Sequence, residues 1–466
     1  MPDERFADHL SHPRGRGHEP AGAFHGAAGG AACGDLVRLS VAVDGERVVD
    51  AGFEAAGCGA TIAAASAAVE LVRGARVLDA ARIGSASVAA ELGGLSAGKL
   101  HAADLTGDAL ARALGAAVAA RAQLPARTDR TLVAMSGGVD SAVAALRADD
   151  EVVAVTLELW RDHENDGERS CCSADAVRGA RALAHRMGLP HLTLDLREGF
   201  RAGVVDPWLA GHAAGQTPNP CVRCNGEVRL DAMLDLAERV GAATLTTGHY
   251  ARRSPEGLLR LAADPAKDQA YMLAALTPET LARLRFPLGE LTKPLVRGIA
   301  REHGLPVAAK ADSQDLCFLA GTGRRRFLAR HGRLAERPGD VVDRAGRRLG
   351  AHGGAHLFTV GQRRGLGVGG AGEPLYVLAT DARANTVTVG PRAALATERV
   401  ALRDVRLYRD AASVDAAKLR YRAPAVACAL VGDQLRLDAP TDRPAPGQTA
   451  VLLAGDVVVG CATIDV

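Results

Sequence analysis

The chain has 466 residues, 48% of them hydrophobic and 24% charged, with a formal net charge of +2. This length is too great for one hydrophobic core and predicts several domains, and the nearly neutral charge means that nucleic-acid binding would need a local basic patch. No apolar run approaches the roughly 20 residues that cross a bilayer. The start of the chain, MPDERFADHL, has neither the cationic nor the apolar part of a secretory signal. We therefore expect a cytoplasmic protein with no membrane partner.

The first quarter of the chain predicts a small α+β domain. Residues 35–61 alternate apolar and polar side chains around a DGE turn, which is typical of antiparallel strands. The Ala-rich segment 61–74 follows as a helix that ends on Gly74, and another helix is predicted over about 107–122. The next segment, RAQLPARTDR (121–130), has the composition of a linker.

From residue 131 onwards the pattern predicts a parallel α/β sheet. The strand TLVAMS, the turn GGVDS and a helix are followed by the strand EVVAVTLELW, a helix capped by Ser173 and the strand HLTLDL. Alternating strands and helices of this kind form parallel sheets. Beyond about residue 335, Gly/Pro turns separate short alternating strands, and these predict one or two small β-barrels.

The stretch MSGGVDS (135–141) lies between the first strand of that sheet and a helix. Gly137 and Gly138 let backbone N–H groups approach a phosphate, the helix N-terminus favours an anion, and Ser136 and Ser141 supply hydroxyl groups. Asp140 is a candidate magnesium ligand. The motif lacks the lysine of a Walker loop. An ordinary tight turn between a strand and a helix is the alternative.

This motif resembles the PP-loop of ATP pyrophosphatases, which adenylate a carbonyl oxygen and release pyrophosphate. Further motifs follow in the order found in the tRNA-specific 2-thiouridylases (the MnmA family), and the resemblance covers roughly 130–466. They are TPNPCVRCN (217–225), TGHYAR (247–252), KDQAYML (267–273), FPLGELTKPLVR (286–297), KADSQDLCF (310–318) and TVGQRRGLG (359–367). Enzymes of this family replace the C2 oxygen of the wobble uridine with sulfur.

The resemblance implies cofactors, partners and site residues. The cofactors are ATP and Mg²⁺. The partners are tRNA with Lys, Glu or Gln type anticodons and a cysteine desulfurase or sulfur-relay protein. The implied ATP-binding residues are Ala134, Met135, Ser136, Gly137, Gly138, Val139, Asp140, Ser141, Leu157 and Gly248. The implied tRNA-binding residues are Lys267, Asp268, Gln269, Arg363 and Arg364. The arginine-rich run 323–348 is either a further phosphate-binding patch or a solvated loop.

Three cysteines carry the predicted sulfur chemistry. By resemblance, Cys317 holds the incoming persulfide and Cys224 is its partner nucleophile, and the reaction needs the two thiols close together. Arg223 stands between Cys221 and Cys224, where its charge favours a thiolate. Cys221 departs from the better-known form of the family, which often has Asp there. With the other two it either ligates a 4Fe-4S cluster that binds hydrosulfide at its open iron, or serves as a resolving thiol.

The other cysteines and two polar residues have separate predictions. Cys428 and Cys461 lie in apolar strands and are predicted to be core residues. Cys171 and Cys172 precede a helix cap, and the pattern leaves open whether they are structural or reactive. The polar residues Asp312 and Gln314 are predicted to position the loop around the persulfide cysteine.

A second group of motifs lies near the N-terminus: DHLSHPRGRG (8–17), CGD (33–35), AGCGAT (56–61) and KLHAADL (99–105). They resemble the NifU/IscU-type iron–sulfur scaffold over about 1–122. The resemblance implies zinc or iron ligands at Cys33, Asp35, Cys58 and His101. The family normally has Cys after this His, but Ala102 stands here and the third thiol is missing. Two Cys, one Asp and one His still form a tetrahedral zinc set. The alternatives are a relay of iron or a cluster, and a domain kept for docking a sulfur donor.

The sequence thus predicts a multidomain protein of α/β and α+β class. The expected domains are an α+β scaffold-like domain (1–122), a doubly wound parallel-sheet PP-loop domain (128–335), a central β-barrel (336–395) and a C-terminal β-barrel (396–466). The predicted function is ATP-dependent 2-thiolation of tRNA, with sulfur or a cluster supplied by the first domain. A non-catalytic iron–sulfur carrier is disfavoured by the intact PP-loop and by the two reactive cysteines. A small-molecule PP-loop enzyme is disfavoured by the C-terminal β domains and the QRRG motif.

Overall fold

The computed structural model describes residues 4–30, 34–148, 151–162, 174–312, 316–319, 321–368 and 373–465. Cys33, Cys171, Cys172, Ser173 and Gln314 lie outside these residues. The chain forms two compact units. The first contains Met1–Arg197, Asp231–His249 and Arg283–Phe318, and the second contains Glu198–Leu230, Tyr250–Ala282 and Leu319–Val466. The range expected to form the PP-loop domain therefore contributes segments to both units.

The N-terminal part of the first unit is a three-stranded antiparallel sheet with helices packed on it. The strands are β1 (Phe24–Gly29), β2 (Leu36–Asp44) and β3 (Arg47–Ala56), in that order. The helices are α1 (Glu4–Ser11), α2 (Gly59–Val72), α3 (Val77–Ala80), α4 (Ser85–Glu91) and α5 (Leu100–Ala120). Helix α5 lies so close to β1 that a Cβ atom at Gly26 would be 2.0 Å from the carbonyl oxygen of Ala109, and this position therefore needs glycine.

Of two boundaries predicted in this part, the structure confirms the hairpin turn and corrects the start of the last helix. The β2–β3 hairpin turns at DGE as predicted, with Gly45 in the left-handed region at φ 56°. The last helix was predicted to begin at about residue 107, but α5 begins at Leu100. Its first turns carry His101, Asp104 and Gly107, which are poor helix formers and obscure the apolar periodicity. The metal-ligand candidate His101 therefore lies in the first turn of a long helix.

The second part of the first unit is a parallel sheet. Between residues 127 and 285 the strands are β4 (Arg127–Ala134), β5 (Glu151–Glu158), β6 (His191–Asp195), β7 (Ala242–Thr246), β8 (Arg252–Arg253), β9 (Leu259–Arg260) and β10 (Leu284–Arg285), of which β8 and β9 belong to the second unit. Five of them form a parallel sheet in the order β10-β7-β4-β5-β6. The chain builds outward from β4 to β6 and then resumes on the other side at β7. The carboxyl ends of β4 and β7 thus form the topological switch point, where open parallel sheets bind ligands.

Ten α-helices lie in the described part of the chain beyond residue 127, besides short 3-10 and π-helical segments. They are α6 (Val139–Leu146), α7 (Ala174–Arg186), α8 (Arg197–Phe200), α9 (Asp206–Ala213), α10 (Pro220–Cys224), α11 (Leu230–Arg239), α12 (Ala270–Leu273), α13 (Pro278–Arg283), α14 (Lys293–Glu302) and α15 (Arg324–Gly332). The predicted linker 121–130 ends inside β4, so the N-terminal domain and the sheet are joined by only a few residues. No helix among the described residues has the length and apolar character needed to cross a membrane.

Helix α5 also packs against β6, the edge strand of the parallel sheet. A Cβ atom at Gly115 would be 1.9 Å from the carbonyl oxygen of Thr193, so glycine is needed where the helix meets the strand. Further along the same junction, the backbone N–H of His191 donates to the carbonyl of Ala81 at 2.9 Å. The edge that β6 would otherwise expose is thereby covered, which prevents pairing with other strands.

Charged side chains are buried in this junction. Asp108 of α5 and Arg181 of α7 form an ion pair in which each residue is only 3% exposed. Arg112 of α5 donates from Nε to Glu158 of β5 at 3.0 Å. Burial raises the pKa of the Asp108 carboxyl, and the neighbouring guanidinium groups oppose that shift. Buried charges are tolerated only when they are paired, so this junction is fixed by specific partners.

The second unit contains two β-sheets. The strands are β11 (Gly339–Val342), β12 (Arg348–His352), β13 (Tyr376–Asp381), β14 (Thr386–Gly390), β15 (Ala396–Leu407), β16 (Ala416–Lys418), β17 (Val426–Val431), β18 (Gln434–Asp442), β19 (Thr449–Ala454) and β20 (Val457–Ile464). The first sheet has the order β12-β11-β14-β13. The second runs β15-β18-β17-β16-β19-β20, and pairing of β15 with β20 closes it into a six-stranded barrel. The hairpin β8–β9 joins this sheet through β20.

The two cysteines predicted to be core residues lie on strands of this barrel, and Cys428 belongs to its hydrophobic core. Cys428 of β17 is 4% exposed and Cys461 of β20 is 6% exposed, which confirms the prediction. Burial raises the pKa of Cys428 to about 11, and burial also raises the pKa of Cys461. A thiol with a raised pKa is a poor nucleophile. These two cysteines therefore serve packing.

Candidate active site and metal centre

The MSGGVDS turn joins β4 to α6 at the switch point of the parallel sheet. Gly137 has φ 69°, a conformation that favours glycine, and Gly138 caps α6. The Ser141 hydroxyl donates to the carbonyl of Gly138 and accepts from the backbone N–H of Ser136, both at 3.1 Å. The loop is thus held in one shape with the N-terminus of α6 at its end. This is the arrangement that binds a phosphate group.

A second glycine reaches the same loop from the end of β7. A Cβ atom at Gly248 would lie 2.8 Å from backbone atoms of both Asp140 and Ser141, so another side chain at this position would displace the loop. Ala134 ends β4, and Leu157 is half-buried near the end of β5. The predicted ATP-binding residues therefore lie at the carboxyl ends of three neighbouring strands. Their contact with ATP stays a prediction.

Two lysines contact the loop, and neither was given a role in the sequence analysis. Lys293 places Nζ 2.8 Å from both carboxylate oxygens of Asp140 and 2.8 Å from Oδ1 of Asp312. Lys310 donates from Nζ to the carbonyl of Gly137 at 2.9 Å. Both lysines belong to motifs recognised above, but they lie 153 and 173 residues from their loop partners. Only the presence of lysine in those motifs could have signalled the contacts.

Asp312 has a wider role than the one predicted. Besides Lys293 it contacts Arg297, with an Nη2–Oδ1 distance of 3.1 Å. Arg297 also donates to the carbonyl oxygens of Ala308 and Lys310, at 2.6 and 2.9 Å. These contacts hold the segment that ends at Asp312, whereas residues 313–315 lie outside the described residues and Cys317 beyond them is half-buried. The predicted positioning of the Cys317 loop by Asp312 stays a prediction.

Cys221 and Cys224 lie on α10 in the second unit. The side chain of Asn219 caps this helix by accepting from the backbone N–H of Cys221 at 3.0 Å. Cys224 is buried and Cys221 is half-buried. The neighbouring Asn225 is buried and donates to the carbonyl of Met272 at 3.0 Å. The Pro-Asn stretch before the thiols thus starts a helix, and the residue after them anchors it.

Arg223, between the two thiols, is engaged by other groups. It donates from Nε to the carbonyl of Gly203 at 2.6 Å and lies 3.2 Å from the Glu227 carboxylate. Part of its charge is therefore offset by a carboxylate. The predicted support of a thiolate by Arg223 stays a prediction. Cys317 belongs to the first unit and the two thiols of α10 to the second.

The residues predicted to bind tRNA differ in their surroundings. Asp268 is buried and accepts from the backbone N–H of Ala262 at 2.9 Å and from Lys418 at 3.1 Å. Gln269 accepts from the backbone N–H of Tyr250 at 3.0 Å. Lys267 is half-buried, whereas Arg363 and Arg364 are exposed. The two exposed arginines are therefore the strongest candidates for phosphate contacts in this set.

The arginine-rich run also serves the fold. Arg324 of α15 donates to the carbonyl of Leu357, and Arg325 pairs with Glu336. Part of this positive charge is thus used within the second unit. Its contribution to RNA binding stays a prediction.

Three of the four predicted metal ligands meet in the N-terminal domain. Nε2 of His101 lies 2.9 Å from Oδ2 of Asp35, and the Cys58 sulfur lies 3.8 Å from the same oxygen. Asp35 also accepts from the backbone N–H of Cys58 and the hydroxyl of Thr61, both at 3.0 Å. A Cβ atom at Gly57 would be 2.1 Å from the Asp35 carboxylate, which explains the glycine. The fourth predicted ligand, Cys33, lies outside the described residues.

The geometry of these three donors fits one metal ion. Their ligand atoms all lie within 4.8 Å of one another, and the edges of a tetrahedral zinc site measure about 3.3–3.8 Å. Nδ1 of His101 donates to the carbonyl of Gly98 at 3.0 Å, so that Nε2, which faces Asp35, is the nitrogen that would bind a metal after losing its proton. Burial alone would raise the pKa of Asp35, but hydrogen bonds from His101, Cys58 and Thr61 lower it below its usual value. The carboxylate is therefore kept ionised, as a ligand must be.

A PP-loop at the switch point of a parallel sheet, carried with a small α+β domain in which three candidate metal ligands meet, defines a two-part protein of the PP-loop class. Four segments match known families. They are the NifU-like N terminal domain (2–122), the tRNA methyl transferase HUP domain (129–321), the tRNA methyl transferase PRC-barrel domain (325–391) and the aminomethyltransferase beta-barrel domain (406–464).

Curated relatives carry the same combination. The chain is 42% identical to the bifunctional protein NifU/MnmA of Rubrobacter xylanophilus, over 97% of this chain and 96% of that protein. It is 45% identical to the tRNA-specific 2-thiouridylase MnmA of Methylorubrum extorquens, over 71% of this chain and 91% of that protein. The corresponding enzyme of Salinispora tropica is 46% identical, over 72% and 98%. The chain belongs to the family of bifunctional NifU/MnmA proteins, which confirms both resemblances found in its motifs.

Proposed function

We propose that this protein uses ATP to replace the C2 oxygen of the wobble uridine of tRNA with sulfur, in the cytoplasm. The observation that carries the proposal is the SGGVDS loop at the switch point, closed by Ser141 and approached by Gly248. Relatives named tRNA-specific 2-thiouridylases support the choice of substrate. A tRNA with a Lys, Glu or Gln type anticodon is the expected substrate, as the family resemblance implies.

The loop residues bind and orient ATP in the first half of the reaction. Backbone N–H groups of the loop and of the start of α6 bind the phosphates, and O2 of the uracil attacks the α-phosphorus. Pyrophosphate leaves, and the uracil is left with AMP on O2. Asp140 fits as the magnesium ligand because its carboxylate lies at the start of α6 beside the phosphate-binding loop, and the ion would offset phosphate charge there. This half of the reaction converts the uracil O2, a poor leaving group, into AMP, a good one.

The cysteines supply sulfur in the second half. In the persulfide version, the Cys224 thiolate attacks the inner sulfur of the persulfide on Cys317, which forms a disulfide and releases hydrosulfide. The hydrosulfide adds to C2 and expels AMP. A dithiol reductant then restores both thiols. In the cluster version, Cys221, Cys224 and Cys317 would hold a 4Fe-4S cluster, which would supply a binding site for the sulfur to be transferred. A cysteine desulfurase or sulfur-relay protein supplies the sulfur in both versions.

The N-terminal domain is proposed to hold one metal ion and to pass sulfur or iron to the second part. Asp35, Cys58 and His101 supply three donors, and Cys33 is the proposed fourth. Ala102, which occupies the position of the family's additional cysteine, is buried in α5. One ion is favoured over a cluster because the three described donors lie within 4.8 Å of one another, as the ligands of a single ion do, and the family's additional thiol is missing.

Purified full-length protein is expected to contain about one zinc or iron per chain at the N-terminal site. Substitution of His101 by Ala should weaken metal retention against a chelator by at least about tenfold, since a direct ligand is lost. Metal analysis during stepwise chelation measures this. His18→Ala, which removes an exposed histidine paired with Asp50, is the control. Equal retention in His101→Ala would contradict the assignment.

The proposed function is tested by a thiolation assay. The full-length protein is incubated with ATP, Mg²⁺, a dithiol reductant, cysteine with a cysteine desulfurase as the sulfur source, and an unmodified tRNA transcript, and nucleosides are analysed by mass spectrometry. We expect 2-thiouridine at the wobble position and stoichiometric release of AMP and pyrophosphate. Thiolation without ATP, or ATP cleavage without any modified tRNA, would contradict the proposal.

Exposed arginines of the QRRG motif give a prediction for tRNA binding. Substitution of Arg363 and Arg364 by Gln should weaken binding and reduce the slope of log affinity against log salt by about 2, if each contacts one phosphate. Filter binding at several salt concentrations measures the slope. Arg392→Gln, which removes an exposed arginine paired with Asp442, is the control. An unchanged slope in the double variant would place the RNA elsewhere.

A further inference from the structure

Charge around the PP-loop is concentrated in one cluster of side chains. Among the contacts described, the carboxylates of Asp140 and Asp312 pair with Lys293 and Arg297, and a third cation, Lys310, donates to the carbonyl of Gly137 in the loop. The cluster therefore carries a net positive charge beside a loop whose own sequence holds no cation. Such an excess favours an anion at this place.

Lys293 is the member of this cluster that is placed to exchange a carboxylate partner for a phosphate. It begins α14, its residue is 8% exposed, and its ammonium contacts two different carboxylates at 2.8 Å. One of these carboxylates, Asp312, is also paired with Arg297 and stays neutralised without the lysine. The other, Asp140, belongs to the first turn of α6, where a phosphate would bind. A flexible four-carbon stem lets the ammonium move from a carboxylate to a nearby phosphate.

We propose that Lys293 is the phosphate-binding cation that the loop sequence lacks. In the structure its ammonium neutralises Asp140 and Asp312, and with ATP bound it donates to the β- or γ-phosphate. The Lys310 ammonium, bonded to the carbonyl of Gly137, positions the loop. This inference rests on the proposed function, because it assumes that the loop binds ATP.

The competing explanation is that Lys293 only stabilises the fold by pairing with two half-buried carboxylates. The two explanations differ in how the affinity for a nucleotide depends on its number of phosphate groups. A lysine that binds the β- or γ-phosphate matters for ATP and not for AMP. A purely structural lysine affects both nucleotides equally, through the shape of the loop.

The test is calorimetric titration of the full-length protein with a non-hydrolysable ATP analogue and with AMP. Substitution of Lys293 by Met should weaken binding of the analogue by about tenfold to a hundredfold, which is the effect of losing one charged hydrogen bond, and leave AMP binding within about twofold. Lys293→Arg should recover part of the affinity because Arg also binds phosphate. Arg301→Met removes an exposed cation from the last turn of the same helix, outside the cluster, and should leave the ATP-to-AMP ratio unchanged.

Three results decide the matter. An unchanged affinity for the analogue, or an equal loss for both nucleotides, would overturn the role of Lys293. If Lys293→Met does not fold, the double variant Lys293→Met/Asp312→Asn removes one carboxylate together with the ammonium, and the same ratio is measured there. A wild-type protein that binds no ATP would instead overturn the proposed function.

Discussion

Substitution of Cys224 or Cys317 by Ser is expected to reduce 2-thiouridine formation by about a thousandfold or more. A hydroxyl group can neither carry a persulfide nor replace a thiolate as nucleophile, so both versions of the sulfur step fail. Binding of ATP should stay within about twofold, because neither thiol belongs to the PP-loop. Nucleoside analysis and calorimetry on the same preparations separate the two effects.

The control for the two cysteine variants is Cys428. Cys428→Ala removes a thiol of the barrel core, and it should lower stability without reducing sulfur transfer. Substantial turnover by either Cys224→Ser or Cys317→Ser would contradict the roles assigned to them.

Cys221 distinguishes the two versions of the sulfur step. If a cluster is used, Cys221→Ala should lose both the brown chromophore and activity. If a persulfide is used, this variant should keep substantial turnover with a persulfide donor. Cys221→Asp is the sharper probe, because a carboxylate can ligate iron but cannot form a disulfide. A cluster and activity that survive in Cys221→Asp would exclude an obligatory disulfide at this position. An active, iron-free wild-type protein would exclude the cluster.

Substitution of Asp108 by Ala should lower the free energy of unfolding by about 3–5 kcal/mol, the cost of leaving a buried charge without its partner. The stranded group is Arg181, which is 3% exposed. Urea unfolding of the full-length protein measures the effect. The double variant Asp108→Leu/Arg181→Met removes both charges and should recover most of the loss.

An exposed ion pair provides the matched control for that experiment. Asp175 pairs with Arg178 on the surface of α7, and its side chain is 69% exposed. Asp175→Ala should cost less than about 1 kcal/mol. A similarly small effect for Asp108→Ala would contradict the view that buried pairing fixes the junction. A large loss of unfolding free energy in Asp108→Ala would mean that the N-terminal domain is an integral part of the first unit and not a tethered attachment.

Local patterns in the sequence determined several features of this protein. The strand–turn–helix around MSGGVDS, the DGE hairpin and the burial of Cys428 and Cys461 follow from the side-chain types within one element and their spacing. These features depend on the preferences of a few neighbouring residues, so they can be inferred without knowing the rest of the fold. The motifs also sufficed to identify the family.

The tertiary structure alone decided which distant residues meet. Lys293 reaches Asp140 across 153 positions, and Asp108 is paired with Arg181 across 73. Likewise Asp35, Cys58 and His101 could be named as ligands by resemblance, but their distances depend on a hairpin and two helices packing together. Pairing of β9 with β20 and the burial of Asp268 also escaped prediction. Each of these contacts is set by the packing of whole elements, and no pattern within a single element reports on how it is placed against another.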